Sequence, residues 1–168
     1  HPVPVDARVR LIDALSATGL RRIEAASFVR ADAIPPMAGS GEVMARITRH
    51  PGVVYSALVP NPKGAELALA AKTDELELVV SASETHNQKN VRRSVAESLV
   101  AARDLVELAH AESVPVEAIV STAFGCPYEG DVAPERVART ACLGSPIVWT
   151  DLGAIFPSRH LFVCYTNK

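Results

Sequence analysis

Four strand-length apolar segments alternate along the chain with segments of helical periodicity, and this alternation limits the fold more than any other feature. The apolar segments are residues 23–29, 53–60, 75–83 and 114–122. Strands that alternate with helices predict right-handed crossovers and a parallel sheet of the α/β class. Because these segments read as nearly continuous apolar runs, we expect both faces of the sheet to be covered.

Capping signals mark where several helices begin. Asn61 is a capping side chain followed by the first-turn proline Pro62, and Ser94 and Glu97 have the spacing of a capping box. The predicted helices are residues 5–20, 40–50, 63–72, 94–111 and 134–141. Residues 83–90 read as a polar loop between the third strand and the long helix.

Composition excludes several classes of protein. Hydrophobic residues make up 48% of the 168 residues and charged residues 21%, which is typical of one soluble globular domain. The net charge of -2 and the absence of a basic stripe exclude a nucleic-acid partner. The longest apolar stretches are too short to span a membrane. Three cysteines without paired spacing favour neither disulfides nor a zinc knuckle, so we expect a cytoplasmic location.

The pattern fails in the last part of the chain. Residues 142–168 contain two prolines and the only tryptophan and show no clear periodicity, and only residues 146–154 resemble a strand in part. We therefore predict an α/β domain over residues 1–141 and an irregular, atypical tail over residues 142–168. A frameshift or a wrongly assigned gene end would produce such a tail.

Polar residues gather where the predicted strands end. In parallel α/β folds the carboxyl ends of the strands form the functional edge of the sheet. The polar residues at these ends are Glu24, Ser27, Asn61, Ser81, Ser83, Glu84, His86, Asn87, Ser121, Thr122 and Cys126, and Asn90 lies in the polar segment after the third strand. This set of hydroxyls, carboxylates, an imidazole and a thiol makes the edge a candidate active site.

Each candidate has a structural alternative. A carboxylate within an apolar strand is costly unless it is paired, so Glu24 is either functional or ion-paired to a helix. Ser27 is either an active-site residue or a loop cap, and the polar segment 83–90 is either a binding element or a solvated surface. His86 has no second ligand at metal-binding spacing. A small buried thiol explains Cys126 better than a nucleophile, because no histidine is placed to activate it.

Five sequence stretches carry a resemblance to a known family. They are "IEAASFV", "PPMAGSGEV", "LVPNPKGAELALAA", "SASETHNQKN" and "GCPYEGDVAPERVA". In this order and spacing the chain resembles hydroxymethylglutaryl-CoA lyases from about residue 5 to residue 140. That family consists of metal-dependent TIM barrels that cleave 3-hydroxy-3-methylglutaryl-CoA to acetyl-CoA and acetoacetate.

The resemblance implies a role for each candidate residue. Glu24 and Ser27 match active-site positions on the second barrel strand, and residues 125–131 match the loop that leaves the fifth. Cys126 does not match the catalytic cysteine of the family, which lies in a later glycine-rich loop. The residues expected to line the acyl-CoA pocket are Asn61, Ser83, Glu84, His86, Asn90 and Ser121.

Other family features are missing from the chain. A first-strand stretch like "RDGLQNE", which carries the catalytic arginine and a metal-ligand aspartate, is absent, and so is any His-x-His pair. The resemblance thus implies a divalent metal, Mg²⁺ or Mn²⁺, while we assign no metal ligand in this chain. A complete (β/α)8 barrel needs roughly 250 residues. We therefore expect a partial TIM barrel, strands two to five with their helices, with impaired activity.

Two other functions compete with a lyase. The first is a catalytically inactive fragment that packs on a partner or on a second copy as a homodimer, because open edges at the first and fourth strands would expose unpaired backbone. The second is a related acyl-CoA-dependent synthase on the same barrel.

Overall fold

A computed structural model describes residues 2–142 and the backbone of one further strand. It contains a parallel sheet whose strands lie in chain order. The strands are β1 (Arg22–Ser27), β2 (Val54–Leu58), β3 (Glu75–Ser81), β4 (Val116–Ser121) and β5 (Val163–Tyr165). The prediction of a parallel α/β sheet is confirmed, and the first four strands fall within or beside the four apolar segments.

Helices connect the strands. They are α1 (Val5–Ser16), α2 (Ser40–Arg46), α3 (Pro62–Ala70), α4 (Glu84–Val91), α5 (Val95–Ala111) and α6 (Pro134–Ala141). Both predicted caps are present: Asn61 Oδ1 accepts a hydrogen bond from the Gly64 amide at 2.9 Å, and Ser94 forms a capping box with Glu97. No helix in the part of the chain that the structure describes is long and apolar enough to cross a membrane.

The helix α4 was not predicted. The interpretation of residues 83–90 as a polar loop is wrong, because Ser83 caps a helix there: its Oγ accepts from the His86 amide at 3.1 Å. Its one buried residue is Asn87. A helix without an apolar stripe gives no periodic signal in the sequence, so only its cap could have revealed it.

The helices pack on one face of the sheet, where alternate strand residues form the core. Tyr55, Leu76, Leu105 and Val116 are each at most 1% exposed. One core cluster joins β3 and β4 to α3 and α5, and a second joins β1 and β2 to α1 and α2. Burial of a large apolar side chain contributes about 1.5–3 kcal/mol, so these clusters hold the helices to the sheet.

The opposite face of the sheet is polar in the amino-terminal half of the strands. Residues paired in a parallel ladder point to the same face, and the ladder pairs Glu24 with Ser56, Ser56 with Glu75, and Glu77 with Glu117. Glu77 and Glu117 are 6% and 4% exposed, which agrees with the expectation that both faces are covered, but the side chains on this face are charged and not apolar. The side chains alternate between an apolar, helix-covered face and a charged one.

The short strand β5 lies within the predicted irregular tail. It pairs in parallel with β4, with Ile119 opposite Val163 and Ser121 opposite Tyr165. The prediction of an open edge at the fourth strand is wrong because β5 occupies that edge. The partly strand-like residues 146–154 lie outside the described residues, and the domain boundary near residue 141 stays a prediction.

Candidate active site

The carboxyl ends of the strands bring most of the predicted site residues to one edge of the sheet. Ser27 ends β1, is 7% exposed, and its backbone oxygen accepts a hydrogen bond from Ser40 Oγ at 2.7 Å. Asn61 follows β2 and caps α3. Ser121 ends β4, in register with the last residue of β3. This edge, which we call the rim, is where the sequence predicted the pocket.

Hydroxyl groups connect the ends of β3 and β4. The buried Ser83 lies at the centre, since its amide donates to Ser81 Oγ at 3.1 Å and its own Oγ lies 2.9 Å from Cys126 Sγ. Ser81 Oγ in turn lies 2.8 Å from Thr122 Oγ1. These short contacts among buried groups hold the rim in one arrangement.

The loop after β4 is a fixed turn of the rim. Cys126 and Gly130 exchange backbone hydrogen bonds of 2.7 and 2.9 Å. The Glu129 carboxylate accepts from the Thr85 amide at 2.6 Å and from Arg136 Nη1 at 2.8 Å. The hydrogen bond from the Thr85 backbone is the main reason that the pKa of Glu129 falls to about 2. The loop is thereby tied to the start of α4 and to α6.

The thiol of Cys126 has a structural role at this turn. It is 5% exposed and also accepts from the Tyr128 amide at 3.4 Å. Burial opposes ionisation, but hydrogen bonds from Ser83 and from the amides of Tyr128 and Glu129 together lower the pKa of the thiol. These contacts agree with the interpretation of Cys126 as a small buried thiol in a turn.

Two aromatic side chains project from this fixed loop into solvent. Phe124 is 71% exposed and Tyr128 is 53% exposed. Lys89 Nζ lies 4.4 Å from the centre of the Tyr128 ring, and the His86 ring lies 6.3 Å from it. Exposed aromatic groups on an anchored loop form an apolar surface beside the rim.

Two of the predicted pocket residues carry buried polar atoms without a hydrogen-bond partner among the described residues. They are Nδ1 of His86 and Oγ of Ser121. Buried polar groups in native proteins are usually hydrogen-bonded to protein or ordered water, so each of these atoms calls for a partner that the described residues do not supply.

The remaining predicted pocket residues lie on α4. Glu84 is exposed, and its carboxylate accepts from the Val95 amide at 3.1 and 3.3 Å, which joins α4 to the start of α5. Asn90 is exposed near the end of α4, away from the cap at Ser83. Substrate contacts by Asn61, Glu84 and Asn90 stay predictions, and the first two side chains already serve local structure.

Glu24 lies on the polar face of the sheet, three residues before the rim. It keeps solvent-accessible surface, but its partial burial and the neighbouring Glu77 carboxylate raise its pKa to about 7. The charged groups that act on Glu24 are Arg22, Glu77 and Glu117, all of which lie on strands. The sequence analysis offered an ion pair with a helix residue as the structural alternative for Glu24. The charged residues that affect the pKa of Glu24 lie on neighbouring strands instead.

Arg22 connects the carboxylates of this face. Its Nε lies 3.3 Å from Glu75, and its Nη2 lies 3.0 Å from Glu77 and also pairs with Glu117. Ser56 Oγ donates to Glu77 Oε1 at 2.5 Å. This network was missed in the sequence, although the period-two spacing in "ELELVV" was its signal.

The described residues do not fit the divalent metal that the resemblance implies. No group of three or more histidine, cysteine, aspartate or glutamate side chains within residues 2–142 is arranged to hold a metal ion.

Comparisons with known proteins agree with the fold. The family model described as HMGL-like matches residues 1–144. A relative from Pseudomonas aeruginosa, the 3-hydroxy-3-isohexenylglutaryl-CoA/hydroxy-methylglutaryl-CoA lyase, is 44% identical over 141 residues, which are 84% of this chain and 47% of the relative. The chain spans about half the length of the curated relatives it matches.

Solved structures show the same similarity. The hydroxymethylglutaryl-CoA lyase of Pseudomonas aeruginosa superposes with a TM-score of 0.81 at 43% identity, over 85% of this chain and 48% of that one. An HMG-CoA lyase from Acinetobacter baumannii, solved with coenzyme A and 3-methylmalate, gives a TM-score of 0.80 at 40% identity, over 86% and 48%. The parallel βα units described above are a partial TIM barrel. The chain belongs to the HMGL-like family.

Proposed function

We propose that this chain is part of a carbon–carbon lyase that cleaves 3-hydroxy-3-methylglutaryl-CoA to acetyl-CoA and acetoacetate. The observation that carries the proposal is the 44% identity to a lyase of this kind across 141 residues. The acyl-CoA substrate would lie along the rim, where Ser27, Ser83 and Ser121 end or follow their strands. We also propose that the protein acts in the cytoplasm.

The cleavage needs two proton transfers. A base takes the proton of the tertiary hydroxyl, the C2–C3 bond breaks, and the oxygen forms the ketone of acetoacetate. The electron pair of the broken bond forms the enolate of the thioester, which takes up a proton to become acetyl-CoA. A carboxyl that titrates near neutral pH is suited to either transfer, and Glu24 has a pKa of about 7.

The rim offers contacts for the rest of the substrate. His86 Nδ1 and Ser121 Oγ are buried and without a partner among the described residues, so each can bond to a polar group of the acyl chain. The exposed rings of Phe124 and Tyr128 offer apolar surface. The divalent cation expected in the family, Mg²⁺ or Mn²⁺, would supply Lewis-acid stabilisation, and the described residues do not form its site.

An assay of acetoacetate release tests the proposal. The purified chain is incubated with hydroxymethylglutaryl-CoA and Mg²⁺ or Mn²⁺, with and without a chelator, after its fold is checked by circular dichroism. We expect at most weak turnover, because the described residues do not form a metal site, and that turnover should fall about 100-fold or more in Glu24→Gln. Glu66→Gln is the matched control, because Glu66 is exposed and pairs with Lys63 on α3. Equal turnover in both variants would contradict the role of Glu24.

A non-catalytic fragment that forms a homodimer is the second candidate. The free edge of β1, which pairs with β2 alone in the described part of the chain, favours it. The polar face is a poor contact between two copies, because each carries four carboxylates around one guanidinium. A dimer by analytical ultracentrifugation, with no acetoacetate release from a folded chain, would support this candidate.

A further inference from the structure

Thr122 has an unusual backbone conformation at the end of β4. Its φ of 58° lies in the left-handed region, which a β-branched residue rarely adopts. The other non-glycine residues with positive φ within residues 2–142 are Lys72, Arg92 and Ser113, and each lies just after a helix, where this conformation is common. Thr122 instead follows a strand at the rim. Strained residues of this kind are concentrated at functional sites.

The hydroxyl of Thr122 has two contacts that fix the direction of its hydrogen bonds. Thr122 Oγ1 donates to the backbone oxygen of Ser121 at 2.7 Å and lies 2.8 Å from Ser81 Oγ. A hydroxyl group has one hydrogen, so Ser81 must be the donor in the second contact. Ser81 Oγ also accepts from the Ser83 amide at 3.1 Å. The hydrogen of Ser81 is therefore committed to Thr122, and both side chains belong to residues at most 3% exposed.

The side chain of Ser121 lies beside this pair of hydroxyls. Ser121 is in register with Ser81, and earlier on the same strands Glu117 is in register with Glu77. Because side chains alternate along a strand, both serines lie on the charged face, and neighbouring strands are only about 4.7–4.9 Å apart. This spacing allows a hydrogen bond between the two hydroxyls. Ser121 Oγ is nevertheless buried without a hydrogen-bond partner among the described residues.

We propose that Thr122 is a positioning residue of the rim. By accepting the hydrogen of Ser81, it prevents Ser81 from bonding to Ser121, so the Ser121 hydroxyl stays free to donate to a carboxylate or carbonyl oxygen of the acyl group. The left-handed backbone brings the Thr122 side chain to Ser81, because a continued strand would turn it to the helix-covered face. The role in substrate binding rests on the lyase function proposed above, while the arrangement of the three hydroxyls does not.

Thermal unfolding of single and double variants tests the arrangement without substrate or metal. In the otherwise unaltered chain, Ser121→Ala removes a buried hydroxyl that has no partner among the described residues, so it should not lower Tm. Thr122→Val keeps the shape of the side chain but removes its oxygen, so the Ser81 hydrogen turns to Ser121. In this background Ser121→Ala breaks a hydrogen bond and should lower Tm by about 2–4 °C.

Two further variants serve as controls. Thr122→Ser keeps the hydroxyl without the β-branch, so it should melt at or above the unaltered chain, and Ser121→Ala should again not lower its Tm. Thr73→Val is the matched control, because Thr73 is also 3% exposed and its Oγ1 donates to the backbone oxygen of Ala68 at 2.8 Å. It removes a buried hydroxyl away from the rim and should leave the effect of Ser121→Ala unchanged.

Binding of hydroxymethylglutaryl-CoA, measured by isothermal titration calorimetry, tests the role of the free hydroxyl. Thr122→Val should weaken binding about tenfold, and Thr122→Ser should bind as the unaltered chain does. Equal affinities in these two variants would overturn the role in substrate binding. A folded chain that gives the expected Tm differences but binds no hydroxymethylglutaryl-CoA would count against the lyase function and leave the arrangement of hydroxyls standing, so the two proposals fail separately.

Two melting results would overturn the arrangement itself. One is a loss of about 2 °C or more for Ser121→Ala in the otherwise unaltered chain, which would mean that Ser121 already has a partner. The other is the same effect of Ser121→Ala in Thr122→Val and in Thr73→Val. If Thr122→Val does not fold, the first of these measurements decides.

Discussion

Gly64 allows α3 to lie against the end of β1, and this contact can be tested by adding one carbon atom. A Cβ at Gly64 would lie 2.8 Å from the backbone oxygen of Phe28 and 3.0 Å from Cδ of Pro60. The Phe28 amide donates to the Leu58 oxygen at 2.8 Å, which holds this backbone in place. Gly64→Ala must therefore push α3 away from the rim.

The expected magnitude follows from two opposing effects. Alanine is favoured over glycine within a helix by up to about 1 kcal/mol. An added methyl group in a packed site costs about 1–3 kcal/mol. We expect Gly64→Ala to lower the free energy of unfolding by about 1 kcal/mol. Gly41→Ala on α2 is the matched control, because a Cβ there meets nothing within 4 Å, and it should raise stability by about 0.5–1 kcal/mol.

Thermal unfolding followed by circular dichroism measures the difference. For a chain of this size 1 kcal/mol corresponds to roughly 2–4 °C in Tm. The two variants should therefore melt about 3–8 °C apart, with Gly64→Ala the lower. If Gly64→Ala melts as high as Gly41→Ala, α3 does not approach β1 as closely as described, and the argument for the glycine is wrong.

Three further changes probe the rim and the charged face. Cys126→Ala removes the thiol that contacts Ser83, and it should lower the free energy of unfolding in urea by about 1–2 kcal/mol. The Asn87 side-chain amide donates to the backbone oxygens of Arg93 and Ser94 and to Ser98 Oγ. Asn87→Ala removes this buried donor and should lower the free energy of unfolding in urea by about 1–3 kcal/mol. Because the pKa of Glu24 is raised from 4.5 to about 7, the folded state binds more protons in this window, so stability should fall as the pH rises through it.

Each of these changes has a control and a result that would contradict it. Cys126→Ser keeps a polar atom and should lose less stability than Cys126→Ala; an equal loss would exclude the hydrogen bond as the cause. Asn90→Ala, at an exposed position on the same helix as Asn87, should change stability by less than about 0.5 kcal/mol. Glu24→Gln should flatten the pH dependence between 4.5 and 7, and an unchanged slope would mean that another group is responsible.

The periodic patterns in the sequence predicted the elements that bury apolar side chains. The four strand segments and the caps at Asn61 and Ser94 were recognised because each leaves a local signal. The helix α4 was missed because it has no apolar stripe, and β5 was missed because the tail has no periodicity. Local patterns report burial and capping, so an element that shows neither is invisible to them.

The sequence by itself determined the parallel α/β order, and the active-site roles of Glu24 and Ser27 that the resemblance implies stay predictions. Only the tertiary structure decided which charged side chains lie close enough to form ion pairs. Arg22 lies 55 positions before Glu77 and 95 before Glu117, and the ladder register brings them onto one face. The pKa of Glu24 depends on this face, because electrostatic interactions act over distance in space and not along the chain.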